Sequence, residues 1–472
     1  MNLEKTSIPI KVVGSSVFGR YSKISSETTY NMIISDDWLV PYVGSIRSEA
    51  LTMPLPMVGR GTYGSSKHRK LFIVIGSKVY TLEGENSASL IYDKIELGTT
   101  PIYIAENNGN QIIFCDGTSN KFYLYSFSTM TMTTVPVDFT PAYVRFQDGY
   151  FIAAEKGAPY WRLSALNNGT SWPLSYRMGI TLEADVAIAA IPLPSRGGQL
   201  FVFGNDCTES WVNVGGDLFP YQKNSGYSID YGCASAESIA HNEEMVVWLA
   251  VNKHSNPTIM YSLGAEAIPI ATDGISYKLS EVKHRELAFG SLFKQDGHLI
   301  YQISFPAPED NFSLMYDFTT KMFFNCSDSG YNYHPARHVE LFNGSYYFVS
   351  YNDCYLYKLG TEYTTNNGEL IPRSRITNTI RLPDSESFIT DDITLIMEQG
   401  NSDGNSRIDL SLSRDGGSTF GNDVSLELNS LGDRKNKVMF RRLGLSNEIT
   451  ARINFWSKGR FIVGGGVATV HQ

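Results

Sequence analysis

The sequence predicts an all-β protein: a β-propeller of six or seven blades with an N-terminal arm and a C-terminal β-rich region. Three observations carry this. Between Leu71 and Gly360 one pattern recurs seven times, a short apolar strand, a polar turn, and a second strand anchored on an aromatic residue. The anchors Tyr80, Tyr123, Trp161, Trp211, Tyr261, Tyr316 and Tyr357 are spaced by 43, 38, 50, 50, 55 and 41 residues, the span of one propeller blade. The composition, with 28 Tyr, 25 Phe and 41 Gly, suits strands joined by tight turns.

Residues 1–50 read as an arm, rich in Ser and Thr, with one extended stretch from Tyr30 to Val43 broken by Pro41 and Gly44. Residues 51–360 hold the propeller. Within it, Asp230 to Glu244 is the best candidate for a short helix or a bent connector, because the strand from Met245 to Val251 follows directly. Residues 361–373, TEYTTNNGELIPR, are polar and punctuated by Gly368 and Pro372, and read as an exposed linker. Residues 374–472 change rhythm but stay β, with strand-like runs beginning at Ile393, Ile408, Val424, Val438, Ile449 and Phe461. They form either a separate sandwich or the last blade, since strands from opposite ends of a chain commonly close a propeller and protect its edge.

Composition narrows the function classes. The 39 basic and 48 acidic side chains give a net charge of −9, which argues against gripping nucleic acid by phosphate neutralisation. The short basic clusters, Lys67 to Lys70 and Arg434 to Lys437, read as solvated loops. Charged residues make up only 18% of the chain, and a surface of Tyr, Ser, Thr and Asn suits contact with other protein. Cys115, Cys207, Cys233, Cys326 and Cys354 form no CxxC pair and are expected as free thiols. No run approaches the ~20 apolar residues of a membrane span, and MNLEKTSIPIKVV has no apolar signal core, so synthesis and folding in a cytosol, without membrane insertion, are expected.

No catalytic, cofactor-binding or metal-binding residue is assigned. Gly59 to Gly64, GRGTYG, matches GxGxxG, but a dinucleotide loop follows a strand and opens a helix. Here a strand comes next, so the segment reads as a turn into the first blade. His334 and His338 have zinc-ligand spacing in HPARH, yet Pro335 and the missing glutamate spoil a helical HExxH site. The sharp motif is Ser413-Arg-Asp415-Gly416-Gly417-Ser-Thr-Phe420. It is similar to an Asp-box, a hairpin turn in which the aspartate caps backbone amides, the glycines allow positive φ and the aromatic buries. Asp-boxes recur in sialidases, which raises a carbohydrate-active propeller as an alternative. Against it, the box occurs once, Ile371-Pro372-Arg373 reverses the sialidase Arg-Ile-Pro signature, and no carboxylate pair stands out.

Five segments in order, GRGTYGSSKHRKLFIVIGSKVYTL from Gly59, ESWVNVGG at 209–216, YGCASAESIAHNEEMVVWLA at 231–250, SRDGGSTF at 413–420 and FRRLG at 440–444, resemble the packaged-DNA stabilisation proteins of short-tailed, Salmonella-type phages. These are tail hub, or nozzle, subunits. The resemblance implies a virion tail protein assembled in the host cytoplasm as a homo-hexamer ring. It would sit on the head-to-tail adaptor below the portal, hold the tail needle and help seat the tailspike. DNA would be retained, and later conducted, through a lumen that does not bind it specifically, and no cofactor is implied. A generic propeller scaffold is the third reading.

Overall fold

Seven antiparallel sheets, one for each sequence repeat, follow each other from Gly59 to Gly360. The computed structural model describes all residues except 1–4, 20–26, 52–56, 85–86, 182–184, 265, 384–385, 400–405 and 429–435. Blade 1 runs through Gly59–Ser65, Lys70–Ile75, Lys78–Leu82 and Ala88–Tyr92, and blades 2, 3 and 4 repeat the four-strand plan from Tyr103, Pro141 and Ala189. Blade 5 centres on Val246–Asn252 and Ser255–Ser262, blade 6 spans Phe289–Cys326, and blade 7 begins at Ala336–Phe342. Every aromatic anchor lies on the third strand of its blade. Tyr123, Trp161 and Trp211 are buried there, each large ring contributing roughly 1.5–3 kcal/mol of burial. The first strands face one another around the axis, and that of blade 7 packs on that of blade 1.

The GRGTYG segment is itself the first strand of blade 1, not a turn. Its glycines serve close approach. A Cβ at Gly59 would collide with Val349, and one at Gly61 would lie 2.6 Å from the Ile102 carbonyl. Asp230–Glu244 is a bent connector: two short strand pieces, Gly232–Cys233 and Ala240–His241, are separated by one 3₁₀ turn, Ala236–Ser238. Among the described residues the α-helix is Asp273–Glu281, where none was expected. Thr272 caps it by accepting from the Ile275 amide, and Ile275 and Leu279 bury one face.

Ring closure comes from the arm. Gly44–Arg47 pairs antiparallel with Leu356–Gly360 as the fourth strand of blade 7, so residues 374–472 do not supply the last blade. They form a β-sandwich. One sheet contains Phe388–Gln399, Asn436–Ser446 and Phe461–His471, extended by the arm strands Thr6–Ile10, Met32–Ser35 and Trp38–Pro41. The other contains Arg373–Ile376, Arg407–Ser413, Val424–Glu427 and Glu448–Trp456. The core between them includes Phe388, Leu395, Leu410, Phe440, Ile453 and Phe461. The region read as a linker is also structured: Thr365–Asn366 and Glu369–Leu370 form a small hairpin on Gly44–Arg47, with Glu369 and Leu370 exposed, and Ile371 to Arg373 are buried.

Thr28–Tyr30 fuses the two units. It pairs with Arg373–Ile376 of the sandwich and, through Tyr30 and Asn325, runs parallel to the outer strand of blade 6. Two side chains lock the seam. Asn31, at φ 54°, donates to the Ser327 hydroxyl at 2.9 Å and the Pro372 carbonyl at 2.8 Å, and accepts from the Ser327 amide. Arg375, fully buried, donates to the carbonyls of Lys11, Val12 and Ser15 and to the Glu27 carboxylate at 2.7 Å. Because removal of one partner leaves a buried charge and several carbonyls unpaired, Arg375→Met is expected to cost about 3–5 kcal/mol. Chemical denaturation measures that loss, and limited proteolysis should show new cleavage between residues 5 and 19.

Candidate functional site

A cluster of charged side chains from blades 3, 5 and 7 lies on the propeller axis. Glu237, in the 3₁₀ turn of blade 5, receives two hydrogen bonds from Arg337 on blade 7, one of them at 2.9 Å. Arg337 Nη1 also donates to the Gly59 carbonyl at 2.9 Å and the Thr99 carbonyl at 3.1 Å, so one guanidinium ties blade 7 to blade 5, blade 1 and the connector beyond it. Blade 6 separates blades 5 and 7 in sequence order, so this pair reaches across the axial opening. Arg145 on blade 3 likewise meets His241 on blade 5 at 3.2 Å, skipping blade 4. The Tyr103 ring lies tilted against Tyr143, centroids 4.2 Å apart, and meets His338 of blade 7 edge-on at 6.4 Å. These cross-ring contacts close the axis.

Their electrostatics follow from burial and pairing. Burial alone would raise the Glu237 carboxyl, but Arg337 and His338 hold it down at about 2. His241 is pushed down to about 3 by burial and then by Arg145, and is neutral at physiological pH. Glu340, partly exposed, is raised to about 7 by desolvation, with Arg145 only partly opposing.

The sequence-derived candidates lie elsewhere. His334 is buried, its Nδ1 accepting from the Ala336 amide at 3.3 Å and meeting Gln302 at 3.1 Å, and burial lowers its pKa to about 4. His338, at φ 51°, faces Glu237 at 3.2 Å instead. The two imidazoles therefore do not converge, and among the described residues no three His, Cys, Asp or Glu side chains gather as a metal site. All five cysteines are buried thiols outside any disulfide. Lys67 donates to the Asn108 carbonyl and Lys70 pairs with Glu83 at 2.7 Å, so this basic cluster is used within and between blades 1 and 2. Of the second cluster, Arg434 and Lys435 lie outside the described residues. Among the described residues no helix is long and apolar enough to cross a membrane.

The Asp-box-like hairpin joins Arg407–Ser413 to Val424–Glu427 in the sandwich. Asp415 accepts from the Thr419 amide at 2.9 Å and the Thr419 hydroxyl at 2.6 Å, while the Ser413 hydroxyl donates to it at 2.6 Å and accepts from the Gly417 amide at 2.8 Å. These bonds hold the carboxyl at about 2. Gly416 and Gly417 have φ of 69° and 91°. Phe420 is half-buried, with Arg452 4.6 Å above its ring. Glu237, Arg337, Arg145 and Glu340 went unassigned from sequence, because no motif or spacing links residues from three blades that meet only when the ring closes.

On the outside, the hairpins between the third and fourth strands of blades 3 and 4 carry an apolar patch. Leu174 and Leu218 are 73% and 88% exposed. Beneath them Tyr176 and Phe219 pack edge to face at 6.3 Å, joining the two hairpins.

The chain is an all-β protein of two units, a seven-bladed propeller fused to a sandwich, with Arg337–Glu237 and Arg145–His241 contacts crossing the propeller axis. The particular family follows from comparison: residues 42–361 match the family described as bacteriophage P22 Gp10, β-propeller, and residues 374–471 match bacteriophage P22 Gp10, β-sandwich. The chain belongs to this family of phage virion proteins that stabilise packaged DNA. No curated protein sequence matches it. Similar solved structures include a streptogramin B lyase, at 11% identity and TM-score 0.44 over 69% of this chain and 99% of that one. A virginiamycin B lyase from Staphylococcus aureus gives 11% and 0.45 over 67% and 98%, and the WD40 repeats of RRP9 give 8% and 0.43 over 67% and 99%. At these values the likenesses carry no argument about activity.

Two outcomes are expected here. The folded pKa of Glu340, about 7, exceeds the ordinary 4.5. The folded chain thus binds the extra proton between those values, and Glu340's contribution to stability is present below pH 4.5 and lost as pH rises through 7. Glu340→Gln should match the native chain near pH 4.5 and exceed it by about 1–2 kcal/mol near pH 8 in urea melts. Separately, Asp415→Ala should lower the thermal midpoint, and Asp415→Asn should lower it less, because the amide still accepts from Thr419.

Proposed function

We propose that the chain is the tail hub, or nozzle, subunit of a short-tailed phage. It joins the portal-adaptor assembly to the needle and tailspikes and closes the DNA channel so that packaged genome stays in the head until ejection. The observation that carries this reading is the pair of family matches, which cover propeller and sandwich in order over nearly the whole chain. The subunit acts as one of six in a ring. Its propeller axis is crossed by the Arg337–Glu237 and Arg145–His241 contacts. A duplex whose major groove alone is ~12 Å wide does not fit there, so the conducting lumen lies between subunits. The balance of −9 suits a wall that DNA slides past without sticking. The Leu174–Leu218 patch supplies apolar surface for a protein neighbour.

Particles assembled without this chain should package DNA and then lose it, since packaging acts through the portal and retention through what is attached below. They should also lack needle and tailspikes. Adding the purified protein and then the needle protein should restore retention, measured as nuclease-protected DNA. DNA-filled stable particles in its absence would contradict the gate, as would tight, steeply salt-dependent duplex binding by the free subunit.

A further inference from the structure

A cavity of about 180 Å³ lies where the arm, the first hairpin of blade 6, the 361–373 segment and the sandwich meet. Its apolar wall includes Ile33, Val40, Tyr42 and Phe461. Its polar wall holds Arg373, 1% exposed, and Gln295, 4% exposed. Arg373 donates from its two terminal nitrogens to the carbonyls of Ser457 at 3.2 Å and Thr364 at 3.0 Å, but Nε has no partner. Gln295 Oε1 has none either. His298 also lines the cavity, its Nδ1 held 2.8 Å from the Asp317 carboxylate, and Arg460 lies at the rim.

Arg373 is the exception among the fully buried arginines. Arg375 has Glu27, Arg337 has Glu237, and Asp116 acts on Arg60. Burial alone acts on Arg373, pulling it down to about 10, with no carboxylate opposing. Asp296 reaches the cavity rim but is exposed and engages Thr361 at 3.5 Å. A buried guanidinium without a counter-charge carries a desolvation cost of several kcal/mol, and two carbonyls and the Phe461 ring, 5.8 Å from its carbon, offset only part of it. A ligand of opposite charge would complete the pairing.

We propose that this cavity binds a carboxylate carried on a small apolar body, the carboxylate pairing with Arg373 and Arg460 and the body lying against Tyr42 and Phe461. Apolar walls around a single deeply buried cation favour a monoanion over phosphate. The carboxylate belongs either to a free acid or to the end of a polypeptide. The inference concerns one chain and does not rest on the tail reading.

The test is thermal unfolding of the full chain with benzoate, as a free acid, or N-acetylalanine, as a chain terminus, at constant ionic strength. N-acetylalanine amide, chloride and phosphate serve as controls. At least one carboxylate should raise the midpoint saturably while the controls do not, and which of the two binds more tightly identifies the source. Arg460→Ala, at an exposed position, should weaken the apparent affinity about tenfold, the worth of one charge-assisted bond. Gln295→Glu should supply the carboxylate in cis, raising the midpoint and abolishing the response. No saturable response by the native chain, or a response to phosphate alone, would overturn the proposal. So would a Gln295→Glu chain that responds as the native chain does, which would place the bound carboxylate away from Arg373.

Discussion

A propeller is a ring of sheets, and a ring built from a linear chain must be closed. Blade 7 provides only three strands of its own, and the fourth, Gly44–Arg47, arrives from more than 300 residues away in sequence. Until it pairs, Leu356–Gly360 is an open edge, an invitation to intermolecular pairing. The same arm also supplies Thr28–Tyr30 to the seam and three strands to one sheet of the sandwich. Ring closure and sandwich formation therefore share one segment, and neither unit has all its strands without it. Contacts of such sequence separation are slow to form, because loop-closure entropy is spent before they contribute.

The seam shows how that dependence is secured. Asn31 adopts a left-handed backbone, which Asn tolerates better than most side chains, and its amide serves blade 6 and the sandwich together. Arg375 draws the carbonyls of residues 11–15 inward, at points where the chain leaves regular pairing. These two residues do for the irregular backbone what ladder hydrogen bonds do elsewhere.

The repeat was legible because burial of one aromatic per blade recurs at nearly constant spacing, and every anchor sits on the equivalent strand. The Asp-box-like turn was legible because its chemistry is local: Ser413, Asp415 and Thr419 bond within seven residues. The arm was legible only in part: the extended stretch Tyr30–Val43 holds the strands Met32–Ser35 and Trp38–Pro41, but where strands of three to five residues pair is decided by the sheets they join. The helix Asp273–Glu281 hid for a related reason, with two apolar contacts, Ile275 and Leu279, too few to show a period. The axial cluster was illegible in principle. Glu237 and Arg337 are 100 residues apart and ordinary in their local context, and only closure makes them partners.

The buried arginines argue for what kind of protein this is. Arg60, Arg337 and Arg375 each hold backbone that lies outside a β-ladder: the connector leading from blade 1 to blade 2, the blade 1 and connector carbonyls reached from blade 7, and the irregular stretch of the arm at residues 11–15. A guanidinium suits this task because its five donors fork toward several carbonyls at once and its charge persists when buried. Here those donors are spent on the backbone, and the carboxylates beside them are spent on the arginines. The result fixes blades and arm against one another. Rigidity of that kind is what a virion component needs if its outer loops, such as those bearing Leu174 and Leu218, are to present a fixed face to a neighbour.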